Sequence, residues 1–157
     1  MSCAGRKISV FPALAVIALT GGCGGGKQQV TAAELVQKGD QICRQEQSGF
    51  SQIQAHPPAN ASDASDQTKA LVKTAESADS KLSDLQPPDE LKAQLDSYLS
   101  ARDRAVDQLK KGQDAAENQD SATYGAAQAA VVQSAPERRR LARAVGFKVC
   151  SANPGSA

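Results

Sequence analysis

The residues with chemistry to offer are four cysteines, one histidine, two tyrosines and a cluster of arginines. No two cysteines stand in a C-x-x-C pair, so the chain has no dithiol redox motif. His56 precedes Pro57-Pro58 and lacks the clustered partners that a zinc site requires, which reads as a surface residue at a helix end. No serine occupies a G-x-S-x-G turn, and no glycine-rich loop joins a strand to a helix as phosphate binding requires. Carboxylates are plentiful, but solvated helix faces account for them. The expectation is therefore a chain that is not an enzyme and holds no cofactor and no metal.

Three side chains remain as candidates for binding. Tyr98, Tyr124 and Arg102 fall at helical spacing on apolar faces, and they would line the groove if a small apolar ligand sits between helices. The plainer expectation is that both tyrosines belong to the core with their hydroxyls at its rim. For Arg102 it is that the aliphatic stem packs while the head reaches water. The densest charge cluster, Glu137-Arg138-Arg139-Arg140-Leu141-Ala142-Arg143, spreads its cations around a helix and reads as a solvated face near a negative C-terminal end.

The elements that must position these residues follow from composition. In 157 residues there is room for one domain, aromatics make up 3%, and there is no Trp. Such material is poor for a β-sandwich and suits helices packed through alanine. The charge is nearly balanced, with 18 basic and 17 acidic residues, and no basic stripe points to nucleic acid.

Arg6 and Lys7 precede an apolar run from Ile8 to Leu19 that Pro12 interrupts. A basic start, an apolar stretch of about a dozen residues and small residues after it describe a secretory signal, too short to span a membrane comfortably. Leu19-Thr20-Gly21-Gly22-Cys23 resembles the lipobox of bacterial lipoproteins, with Thr20 where the common pattern has Leu. The resemblance implies cleavage before Cys23 and a diacylglyceryl group on its thiol. Two acyl chains hold firmly where one would exchange. Residues 1–22 then form the signal peptide, 23–30 the lipidated cysteine and a flexible glycine tether, 31–152 the helical domain and 153–157 a disordered tail. The membrane becomes the first partner, through the N-terminal lipid, with the domain on the extracytoplasmic face.

That address decides the cysteine arithmetic. Cys3 leaves with the signal, Cys23 carries lipid, and Cys43 and Cys150 face an oxidising compartment, where they are expected to form a structural disulfide. Closing most of the domain into one loop is worth about 4–5 kcal/mol on the chain-entropy model.

Four helical segments follow the tether. Thr31-Ala32-Ala33-Glu34 is a capping box, and Leu35, Gly39, Ile42, Phe50 and Ile53 fall near one face with Cys43 beside it. Ala59 to Ser65 reads as a loop. The second helix, about Asp66 to Leu85, carries the seam Leu71, Ala75, Ala78, Leu82 and Leu85. Pro87-Pro88-Asp89-Glu90 turns into a third helix expected to stop at Lys110-Lys111-Gly112. A fourth begins between Asp114 and Ser121 and is expected to break or kink near Pro136, with Ser134 as a fresh cap. Gly146 is a second device that would end it, letting residues 147–150 double back over the first helix. Short connections favour an antiparallel up-down four-helix bundle closed by one disulfide.

Asp40-Gln41-Ile42-Cys43-Arg44, Leu85-Gln86-Pro87-Pro88-Asp89-Glu90-Leu91 and Val145-Gly146-Phe147-Lys148-Val149-Cys150 resemble a diffuse group of small, alanine-rich helical bacterial lipoproteins. That group lends no function. The expected role is a non-catalytic interaction module with an envelope protein as partner, the alternative a carrier or sensor of a small apolar ligand.

Overall fold

The computed structural model describes residues 29–153. The fold is all-α: α1 (Ala32–Ile53), α2 (Ala61–Ser83), α3 (Asp89–Glu117) and α4 (Ser121–Val145), with no strand among the described residues. The expected signal peptide, the expected lipidation site Cys23 and most of the expected tether and tail lie outside them.

Three of the four helices start where a side chain satisfies a free amide, while α3 starts at Pro88 with acidic Asp89 and Glu90 in its first turn. Thr31 and Glu34 form the reciprocal capping box. Asn60 accepts from the Asp63 amide and starts α2 five residues earlier than Asp66, so most of the expected loop 59–65 is helix. Asp120 caps α4 through the Thr123 amide. Helix ends meet in space. The Val30 amide donates to the Gln86 carbonyl, Gln67 donates to the carbonyls of Ile53 and His56, and Ser65 donates to Glu117.

Two expected stops are absent. α3 runs through Gly112 to Glu117, and Gly112 is buried against α4, where a methyl would meet the Ala127 Cβ at 3.5 Å and the Tyr124 ring at 3.9 Å, both ordinary contact distances. α4 is one helix through Pro136. Proline removes the amide that would reach the Val132 carbonyl. Around this turn Ser134 Oγ donates 2.9 Å to the Val131 carbonyl and Arg138 donates to both, so Ser134 braces the helix and does not start a new one.

α4 ends instead at Gly146, whose φ of 99° is left-handed backbone. The chain reverses and lays Phe147 on α1, where its ring sits so close to Gly39 that a Cβ there would be 2.3 Å away. Asp40, buried beside it, accepts from the amides of Lys148 at 3.2 Å and Val149 at 2.8 Å. Cys43 and Cys150 complete this clasp as a disulfide, with Cα atoms 5.3 Å apart.

The core has two apolar parts. Leu35, Leu82, Leu95, Tyr98, Val145 and Phe147 pack at the clasp end. Leu71, Val72, Ala75, Val106 and Leu109 pack in the other half, with Phe50, Ile53 and Val131 against them.

Candidate functional site

Between the two apolar parts lies a charged layer. Arg102 on α3 comes from the same face as Tyr98 and Val106, so its guanidinium enters the core and not the solvent. Only 10% of its side chain is exposed. Glu46, one turn after Cys43 on α1 and one before Phe50, takes the guanidinium in two bonds, Nη2 to Oε1 at 2.6 Å and Nη1 to Oε2 at 3.0 Å. Asp79, between Ala75 and Leu82 on α2, accepts from Nε. Tyr98 accepts from Nη1 at 3.2 Å, and its ring centroid lies 5.6 Å from the guanidinium carbon.

Three helices are thus tied to one cation. The expectation that the head of Arg102 reaches water is corrected: a buried guanidinium needs partners for its five donors, and the layer supplies four hydrogen bonds. The hydroxyl of Tyr98 is likewise buried, 3.9 Å from Cys43 Sγ, with its ring edge-on to Phe147 at 5.7 Å. Arg138 also turns inward from the cluster expected to be solvated, while Glu137 pairs with Arg104 at 3.3 Å.

The electrostatics follow from burial. Desolvation would lower the pKa of Arg102, but Glu46, Tyr98 and Asp79 together hold it well above its ordinary value. Desolvation raises that of Asp79, with Arg102 opposing. Burial pushes Tyr98 up against the same guanidinium. Arg138 is lowered by burial and then by the neighbouring charge of Arg102. Asp79 Oδ2 is buried without a hydrogen-bond partner among the described residues.

A cavity of about 60 Å³ adjoins the layer, lined in part by Glu46, Phe50, Arg102, Val131 and Arg138. That is room for about two water molecules and far below the several hundred Å³ of a ligand site.

Tyr124 lies elsewhere. It packs near Gly112, 14 residues along α3 from Tyr98, or about 21 Å. There it lines an open cleft of about 290 Å³ with Pro58, Ala64, Ala116 and Gln119. The structure therefore brings Tyr98 and Arg102 together and separates Tyr124 from both. Sequence reasoning missed Glu46 and Asp79, although each stands at helical spacing inside an apolar seam, which is the signal that finds such residues. Cys23 lies outside the described residues. Among those residues no helix is long and apolar enough to cross a membrane, and no group of three metal-ligating side chains converges.

No family model, curated protein or solved structure matches the chain. The geometry alone speaks for the site. An arginine held by two carboxylates is neutralised and fixed, which suits a pin between helices and not the binding of an anion.

Proposed function

We propose that this chain is a lipid-anchored envelope protein, held through Cys23 at the extracytoplasmic face of a bacterial cell membrane. Its helical domain acts there as a non-catalytic interaction module. The observation that carries the reading is the Cys43–Cys150 disulfide at the centre of the clasp. A cross-link of this kind persists in an oxidising compartment and is rare in the cytosol. Gln29 bonds to Asp89 at 2.9 Å and Val30 to Gln86, so a tether from Cys23 would meet the domain within a few residues. The carrier reading is weaker, since the interior around Tyr98 and Arg102 is filled and Tyr124 belongs to a separate open cleft.

The test is an intact mass, without reductant, of protein recovered from native membranes. The expected species begins at Cys23, is heavier by a multi-acyl group and is lighter by two hydrogens. A chain without acyl mass overturns the anchor and the location built on it.

A further inference from the structure

Charge is unevenly placed along this chain. Residues 29–120 carry ten basic and sixteen acidic side chains, and residues 121–153 carry five basic and one acidic. That one acid, Glu137, pairs with Arg104 and so marks the side of α4 that faces α3. Arg138 turns inward. What is left of the cluster does not ring the helix. With 3.6 residues per turn, Arg139, Arg140 and Arg143 share an arc of about 100°, and Arg139 and Arg143 lie about 160° and 120° around from Glu137. Arg140 and Arg143 are exposed and Arg139 is half-buried. The clasp widens this arc into a patch. Arg143 donates to the Ser151 carbonyl at 3.4 Å, and Asp40 and Gln47 on α1 bind the backbone of Lys148 and Val149. Exposed Lys148 therefore lies between the two helices, and exposed Arg44, four residues after Asp40 and three before Gln47, borders the same strip. None of these five cations forms an ion pair among the described residues. The nearest acids of α1 are engaged, Asp40 by the tail amides and Glu46 by Arg102.

We propose that this patch docks on the anionic phospholipid headgroups of the leaflet that holds the anchor, so that the bundle leans onto its α4 and clasp side. The inference rests on the lipid anchor proposed above. Phosphate takes a guanidinium in two parallel bonds, which suits a patch built mainly of arginine. The tether supplies the reach. Cys23 and Gln29 are six residues apart, at most about 20 Å of chain. Gln29 and Val30 are held at the clasp end of the bundle. Asp40, which holds the tail, stands about 15 Å along α1 from Val30. The anchored domain therefore cannot carry the patch far from the headgroups. The exposed acids of the same end, Asp84, Asp89 and Glu90, belong to the α2–α3 turn. Arg139 and Arg143 face away from α3, so the lean that lowers the patch turns those acids from the lipid. An acidic protein would match the same charge, but the leaflet is the anionic surface that the tether keeps within reach at all times. Each cation near such a surface adds to the attraction, which falls off within a Debye length.

The test is phenylglyoxal labelling of arginines, mapped by peptide mass, in the full chain recovered from native membranes. The chain is placed on vesicles of phosphatidylcholine alone and on vesicles that also contain phosphatidylglycerol. Arg139, Arg140 and Arg143 are expected to react roughly tenfold more slowly on the anionic vesicles. The protection should vanish at about 1 M salt, where screening shortens the Debye length to about 3 Å. Arg104, on α3, should react alike on both. Arg140→Gln with Arg143→Gln, two exposed positions whose change leaves the helical circular dichroism intact, should remove the protection of Arg139. Equal labelling on the two vesicles overturns the proposal, as does protection that survives high salt. So does protection that appears only in native membranes, since an acidic protein is then the occupant. Flotation of the same samples keeps the two readings apart. A chain that floats with phosphatidylcholine but shows no selective protection keeps the anchor and loses the patch. One that floats only with the anionic vesicles does the reverse, and one that floats with neither overturns both.

Discussion

Gly39 shows how one hydrogen in place of a methyl decides a tail's position. Its missing Cβ is the space that the Phe147 ring occupies, and the ring is buried. Gly39→Ala should destabilise the oxidised protein by about 1–3 kcal/mol or more through overpacking, read as a lower urea midpoint. Arg102 is the other position where a single side chain governs its surroundings. Arg102→Met strands two buried carboxylates and should cost about 3–5 kcal/mol, while adding Glu46→Leu and Asp79→Leu should recover most of that. Recovery would mean that the layer specifies helix register more than it stabilises. Asp79 also sets a pH dependence. Its folded pKa is raised by burial, so its contribution is present below the unfolded value and lost as pH rises through the folded one. The measurement is the midpoint difference between Asp79→Asn and the parent, which should shift in favour of the variant from about pH 4 upward.

Helix ends account for most of what distinguishes this chain at the scale of the element. α3 closes with Gln119 at φ 58°, the Asp120 amide reaching the Ala115 carbonyl at 2.8 Å and the Gln119 amide that of Ala116 at 3.1 Å. That pattern favours glycine at the left-handed position. Gln119→Gly should therefore raise stability by about 0.5–1 kcal/mol, visible as a higher thermal midpoint. Gly146 already follows the rule at the end of α4. The starts were legible in sequence at Thr31 and at Pro88-Asp89, where polar caps and acids face the positive end of the helix. They were misplaced at α2, because Asn60 also reads as a loop residue until its side chain is seen to accept from Asp63. Gly112 and Pro136 failed as stop signals for a shared reason. Local propensity disfavours both inside helices, but burial of this turn of α3 against α4 outweighs the freedom of the glycine, and Ser134 with Arg138 braces the turn around the proline.

Across the whole molecule, α1 is fastened to the end of the chain by the clasp as well as packed beside α2. Phe147, Asp40 and the disulfide act at one place, so removing the cross-link should not release the tail at once. The Cys43→Ala, Cys150→Ala double variant should lose up to about 4–5 kcal/mol yet keep its helical circular dichroism at room temperature. Reduction of the parent chain should give the same midpoint, since both treatments act chiefly on the freedom of the unfolded chain.

The helices, their seams and the pairing of Cys43 with Cys150 were determined by the sequence itself. Those features rest on period, capping and a count of available thiols, all of them local or arithmetical. Where Arg102 sends its head, which carboxylates receive it, and how far Tyr124 lies from Tyr98 were decided only by the tertiary structure. A seam position tells that a side chain faces inward. Its partners there come from other helices, and their axial register is settled by packing that no single helix contains.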